Sequence, residues 1–199
     1  MEDNLSYLTI ERVSESEHRD RGSKFLAFAY PVDNRDAIKQ KLDALWLQYP
    51  DATHICYAWQ LGDEYRANDD GEPGNSAGMP ILRRIHSHGL DHVLVAVVRY
   101  YGGKKLGVSG LIDAYGTAAE LALSNAKVLR EHPKVDLLVR DLQNRDYIVY
   151  ELQGKHNILN LIPPDHISGY FRLTVYQSYL DEFVNQLESL PNFEVQKPQ

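Results

Sequence analysis

The sequence predicts an α+β protein built from two domains, residues 1–132 and 133–199. Three observations carry this. Strand-like apolar runs alternate with helical periodicity up to about residue 129, the pattern restarts after His132-Pro133, and the remaining chain compresses a βαββαβ order into its last stretch. At 199 residues with 43% apolar content, there is enough hydrophobic material for a core in each part.

In chain order, Leu5–Val13 alternates loosely and reads as a first strand, and the charged, serine-containing Glu15–Arg21 as a turn. Lys24–Tyr30 is the next strand, stopped by Pro31. Asp33 or Asn34 caps a helix running to about Tyr49, because Ile38, Leu42, Leu45 and Tyr49 recur at three- and four-residue spacing. His54–Leu61 alternates, with Ile55, Tyr57, Trp59 and Leu61 on one face and His54 and Cys56 on the other. Gly62–Ser76 reads as a loop, with five acids against one arginine between residues 63 and 72. A short helix spans Pro80–Ser87, with Gly89 just past its end. Val93–Val98 is a strand buried on both faces, and Val108 to about Leu129 is the longest helix. Its Leu111, Ile112, Tyr115 and alanines leave little room for a polar face, and Asp113 and Lys127 suit its dipole. In the second domain, strands fall at Lys134–Leu142, Asn157–Ile162, Tyr170–Val175 and Phe193–Val195. Helices run from Asn144 or Asp146 to Lys155 and from Ser178 to Leu190.

Two loops concentrate the chemistry. Between the buried strand and the longest helix lies Arg99-Tyr100-Tyr101-Gly102-Gly103-Lys104-Lys105-Leu106-Gly107-Val108-Ser109, glycine-rich and basic. Its glycines permit positive φ and close approach, and the N–H groups of a helix start can face an anion. It reads either as a phosphate or nucleic-acid site or as a tight strand-to-helix connection with solvated lysines. The spacing matches neither the dinucleotide-binding nor the P-loop pattern. The acidic loop holds Asp69, Asp70 and Glu72, which bond local turn backbone, hold a hard cation such as Mg²⁺, or salt-bridge to the basic turn. With His54 on the neighbouring strand, these acids form a second loop facing the basic one. His86, His88 and His92 fit no zinc spacing, and Cys56 reads as a small core residue rather than a nucleophile paired with His54. No metal or cofactor is assigned.

The formal charge of −7 gives no global attraction to nucleic acid or anionic membrane, so polyanion binding must be local. One cysteine fits a reducing compartment, and neither a signal peptide nor a membrane span is apparent, so a cytoplasmic location is expected.

The chain resembles the IMPACT family, also called the YigZ family, in its two-domain bacterial form. Val97-Val98-Arg99-Tyr100-Tyr101-Gly102-Gly103-Lys104-Lys105-Leu106-Gly107 matches the family's signature of two aliphatics, x, Arg, two aromatics, Gly-Gly, x-x, aliphatic, Gly, extended by Gly110-Leu111 and Ala114-Tyr115-Gly116. Asp69-Asp70-Gly71-Glu72-Pro73, Ala77-Gly78-x-Pro80, Ser23-Lys24-Phe25 and His54-x-Cys56-x-Ala58-Trp59 resemble further family blocks. Asn75-Ser76 departs from a common Gly-Thr, and Lys104-Lys105 occupies variable positions. The resemblance implies an N-terminal two-layer α/β sandwich like ribosomal-protein and elongation-factor-G domains, with a left-handed βαβ crossover. It also implies a ferredoxin-like C-terminal domain like the last domain of elongation factor G. In eukaryotic relatives the family regulates translation by competing for a ribosome-associated scaffold. The expectation is therefore a non-enzymatic protein that binds RNA, ribosomes or a translation-associated protein through the basic turn and an open sheet face. The alternative is a metal-dependent phosphate-handling or hydrolytic enzyme using Asp69, Asp70 and Glu72.

Overall fold

The computed structural model describes residues 6–143, 146–155, 158–164, 169–190 and 192–196. They form two compact units, one of Tyr7–Arg130 and a second of Ser6 with the described residues from Glu131 onward. The protein is of mixed α and β structure, with five α-helices among the described residues.

The first unit contains β1 (Tyr7–Ile10), β2 (Ser14–Asp20), β3 (Ser23–Pro31), α1 (Arg35–Gln48), β4 (His54–Leu61), β5 (Glu64–Asn68), α2 (Gly78–Ser87), β6 (Val93–Tyr100), α3 (Gly107–Ser124) and all but the last residue of β7 (Val128–Glu131). Five strands make one sheet in the order β2-β3-β6-β4-β5, and every described pairing in it is antiparallel. Strand β6 lies at its centre with Val93–Arg99 all buried, as a run of Val, Leu and Ala without alternation requires. Alternate residues serve opposite faces. Phe25, Ala27, Ala29, Cys56, Ala58, Val93, Val95 and Val97 share one cluster with the buried residues of α2 and α3. Phe28, Ile55, Trp59, Leu94, Ala96 and Val98 pack with Ile38 and Leu45 of α1 on the other side.

Helix α1 thereby adds a third layer, and this corrects the expected two-layer sandwich with an open face. An amphipathic helix with Ile38 and Leu45 buried must lie on apolar surface, and the bulky side of β4 supplies it. The face stays uncovered only toward its edges, where Glu15, Glu17 and Arg19 of β2 are exposed. Asn34 is the cap of α1, accepting from Ala37 N at 2.8 Å.

Three polar stretches differ from expectation. Glu15–Arg21 is mostly strand β2 rather than a turn: Ser14 and Ser16 donate to the carbonyls of Ala122 and Ala118 in α3 at 2.7 and 2.9 Å. Hydroxyls replace apolar side chains on its inner face, which hides the strand from hydrophobic periodicity. Edge strand β5 lies inside the segment read as an acidic loop, and its polarity is what solvent at an edge allows. Helix α3 ends at Ser124, short of Leu129. Lys127 accordingly serves no dipole; it pairs with Glu11 at 2.8 Å beside the two-stranded ribbon β1–β7.

The second unit contains β8 (Lys134–Asp141), α4 (Asp146–Lys155), β9 (Ile158–Ile162), β10 (Phe171–Tyr176), a 3₁₀ turn at Gln177–Tyr179, α5 (Leu180–Glu188) and β11 (Phe193–Gln196). The sheet order is β11-β8-β10-β9 with antiparallel neighbours, so a βαββαβ chain interleaves its two halves. Leu137, Val139, Val149, Phe171, Leu173, Phe183 and Leu187 form its core.

Candidate functional site

The end of β6 carries the first site residue. Odd-numbered β6 residues face α2 and α3, so Arg99 enters that side of the sheet, opposite Phe25 of β3 and His54 of β4. Its guanidinium is nearly inaccessible and pairs through Nη1 with Glu72, whose side chain is equally enclosed. The same Glu72 oxygen accepts from Tyr115 Oη of α3 at 2.8 Å. Arg99 Nη2 lies 3.5 Å from Ser23 Oγ, the guanidinium sits 5.5 Å from the Phe25 ring centre, and Nε has no protein partner among the described residues. A buried ion pair of this kind holds only because each charge answers the other.

The acidic loop turns inward throughout. Asp69 accepts from the backbone N–H groups of Asn75, Ala77 and Gly78 at 2.8–3.0 Å, and so caps α2, whose own Ala77 offers no capping side chain. Asp70, at φ +44°, accepts from Ile55 N at 2.7 Å, and its carbonyl meets His54 Nδ1 at 2.6 Å. The Cys56 thiol lies 3.0 Å from the Asp69 carbonyl and 3.3 Å from Tyr115 Oη, with one proton to share between them. Burial pushes both the Cys56 thiol and the Tyr115 phenol well above their ordinary pKa values.

These bonds overturn the reading of Asp69, Asp70 and Glu72 as a cation site. The three carboxylates point at different partners: the start of α2, the backbone of β4, and Arg99 with Tyr115. A cation shared among them would cost a helix cap and a buried ion pair. Among the described residues, no group of three or more His, Cys, Asp or Glu side chains is arranged to hold a metal ion. His86, His88 and His92 also part company, toward Gln60, Glu120 and Asp91.

The basic turn is divided. Its first half is structural: Tyr101 N donates to Thr53 Oγ1 at 3.0 Å and Gly102 N to Ser23 Oγ at 3.1 Å. Gly102 lies against the β2–β3 hairpin so closely that a Cβ would fall 1.9 Å from Gly22 C, which admits only glycine. Tyr100 packs into the cluster on the α1 face, and Arg99 is no free cation. The second half faces solvent. Lys104, Lys105 and Ser109 are exposed, Gly103 and Gly107 have φ of +85° and +75°, and Leu106, at the cap position of α3, offers no side-chain hydrogen bond. Tyr101 is about half exposed, its ring 5.7 Å from the Arg99 guanidinium.

The two loops therefore meet, but through Arg99 and Glu72 rather than through the lysines. Sequence reasoning passed over Tyr115 and Ser23 as site partners, although both stand in motif blocks. It also passed over Arg21, which is exposed one residue before the Gly22–Gly102 contact. No helix of the described residues is long and apolar enough to cross a membrane.

A model of the Impact N-terminal domain matches residues 21–123, which includes every residue of both loops. An IMPACT family member of Thermus thermophilus is 47% identical over 116 residues, 58% of this chain and 60% of that protein. The IMPACT family member YigZ of Escherichia coli is 35% identical over 56% of this chain and 57% of its own length. This chain thus matches under two thirds of either of those two relatives. A Haemophilus influenzae family member is 31% identical over 91% of this chain and 90% of its own. The crystal structure of a hypothetical protein, 26% identical, superposes over 98% of both chains with a TM-score of 0.75.

Proposed function

This chain belongs to the IMPACT family, and on that premise we propose that it is a non-enzymatic regulatory protein of translation that binds ribosomal RNA. The contact surface is the outer half of the basic turn: Lys104, Lys105, Ser109 and the uncapped start of α3, with Tyr101 available to stack on an unpaired base. Arg21 of the adjoining hairpin extends it. A cytoplasmic location belongs to the same reading, as does likeness of the second unit to the last domain of elongation factor G.

The observation that carries the reading is the contrast between spent and unspent charge. Arg99, Asp69, Asp70 and Glu72 are consumed inside the fold, whereas Lys104 and Lys105 have no ion-pair partner among the described residues. They hold their positions through a Gly102–Gly22 contact that tolerates no side chain. Acid-loop geometry gives the hydrolytic alternative no support.

Co-sedimentation with purified ribosomes tests it. The native chain pellets at low salt and is released at moderate salt; the Lys104→Glu, Lys105→Glu double variant stays in the supernatant. Three phosphate contacts, from Lys104, Lys105 and Arg21, predict a log–log salt slope of roughly −2 on a single strand. Failure of the native protein to pellet at low salt, or equal pelleting of the variant, overturns the proposal.

A further inference from the structure

A second region of the first unit has the chemistry of a ligand site and takes no part in the loops above. Between α1 and the β4–β5 edge lies a cleft of about 550 Å³, within the range of small-molecule sites. Its construction follows from how α1 sits. The helix rests on the sheet through Ile38 and Leu45, so the flank bearing Lys39, Asp43 and Trp46 overhangs the outer strands. Strand β4 supplies Tyr57 and Trp59, and β5 supplies Arg66, directly across from Trp59 in the ladder.

Two aspects of this lining point to the ligand. One is aromatic surface: Trp59 is 7% exposed and forms part of the wall, while Trp46 is 42% exposed, an unusual position for an indole without a partner to cover it. The other is charge. Arg35 at the rim is bonded to Glu64 at 2.8 Å, but Lys39 and Arg66 enter no ion pair among the described residues. Asp43 is the acid that faces them, which leaves a net +1 from Lys39, Arg66 and Asp43 in a chain whose total is −7.

We infer that this cleft binds a nucleotide, its base stacked on the indole of Trp46 and its phosphate held by Arg66 and Lys39. A free mononucleotide fits better than a strand. With Arg35 bonded to Glu64, the lining offers two cations, Lys39 and Arg66, enough for one phosphate group but no row that could follow a polyanion backbone. The site is distinct from the basic turn: Trp59 pairs with Leu94 near the start of β6, five residues from Arg99, or roughly 17 Å along the strand. The inference therefore does not rest on the ribosome reading.

The chain has two tryptophans, and both line the cleft, so tryptophan fluorescence, excited at the long-wavelength edge where the 13 tyrosines do not absorb, reports on this site. The experiment titrates the full chain with AMP, in parallel with adenosine, inorganic phosphate and a short oligo(A). The expected result is saturable quenching by AMP, at least tenfold weaker in the Lys39→Glu, Arg66→Glu double variant and unchanged in Lys104→Glu, Lys105→Glu. Thermal melting confirms that each variant is folded. Linear, non-saturating quenching overturns the inference, as does equal affinity in the cleft variant. Saturation by oligo(A) with none by AMP also overturns it, assigning the cleft to a nucleic-acid strand instead.

Discussion

Residues 69–78 and residues 103–109 are both polar, both glycine-containing and both part of the family's matched region, yet they spend their polarity in opposite ways. In the first, the carboxylates accept protein N–H groups, a guanidinium or a phenol, and nearly every polar group is answered from within the fold. In the second, the ammonium groups and the opening N–H groups of α3 are answered by nothing among the described residues. The acids are what a search for catalysis notices first, and they turn out to lock β4, β6, α2 and α3 together. The lesson is that a charged motif residue earns a functional reading only after its partners inside the fold are known.

The largest effect should come from removing one half of the internal pair. Glu72→Ala leaves the Arg99 guanidinium buried without a counter-charge and Tyr115 without its acceptor. Urea denaturation should show a loss of about 3–5 kcal/mol. Replacing both charges, as Glu72→Leu with Arg99→Met, should recover much of that loss, and a double variant as unstable as Glu72→Ala alone would refute the pairing argument. Next in size is Gly102→Ala. Its Cβ has no room against the Gly22 backbone, so the turn must lift off the β2–β3 hairpin, at a cost of about 2–3 kcal/mol and of whatever geometry the lysines need. Thermal melting and ribosome co-sedimentation should both register it.

A smaller effect appears with pH. The Cys56 thiol keeps its proton in the fold well above its ordinary value of 9.0, chiefly because burial penalises the thiolate. Unfolding frees it to ionise near that ordinary value, so above about pH 9 the unfolded chain binds fewer protons than the native one and stability falls as pH rises. Below that pH the contribution is fully present. In urea titrations the native chain should lose up to about 1.4 kcal/mol more per pH unit above pH 9 than Cys56→Ala does. Parallel pH profiles for the two would show that the thiol is not held neutral.

Much of the fold was legible because it is written in apolar spacing. The run at Val93–Val98, the alternation in His54–Leu61 and the stripe of Ile38, Leu42 and Leu45 each demand a strand or helix of the observed kind. Strands β2 and β5 were not legible, since one uses serine hydroxyls against α3 and the other is a solvent-facing edge. The third layer escaped because a helix stripe shows that a face is covered, not which one. In the loops, a salt bridge from the acids to the basic turn was among the readings and Arg99–Glu72 is one, but which acid meets which cation, and that the pair is buried rather than a free cation beside a metal ligand, was not legible. Their bond joins residues 27 apart, and no local pattern announces it. The α1–β5 cleft was hidden for a related reason: alternation places Tyr57 and Trp59 on one face of β4, and only the overhang of α1 makes their neighbours a pocket.

The exposed lysines should matter least to stability. If the basic turn's outer half contributes nothing to the fold, then Lys104→Ala with Lys105→Ala should leave the urea midpoint within about 0.5 kcal/mol of the native chain. Removing two exposed like charges even relieves a little repulsion next to the positive end of the α3 dipole, so the sign should be neutral to slightly stabilising. Adding sodium chloride should narrow that small difference, because exposed charges are screened within about 10 Å at 0.1 M salt. A loss above 1 kcal/mol would mean that the lysines hold the turn in place, and the division between an inward, structural loop and an outward, binding one would fail.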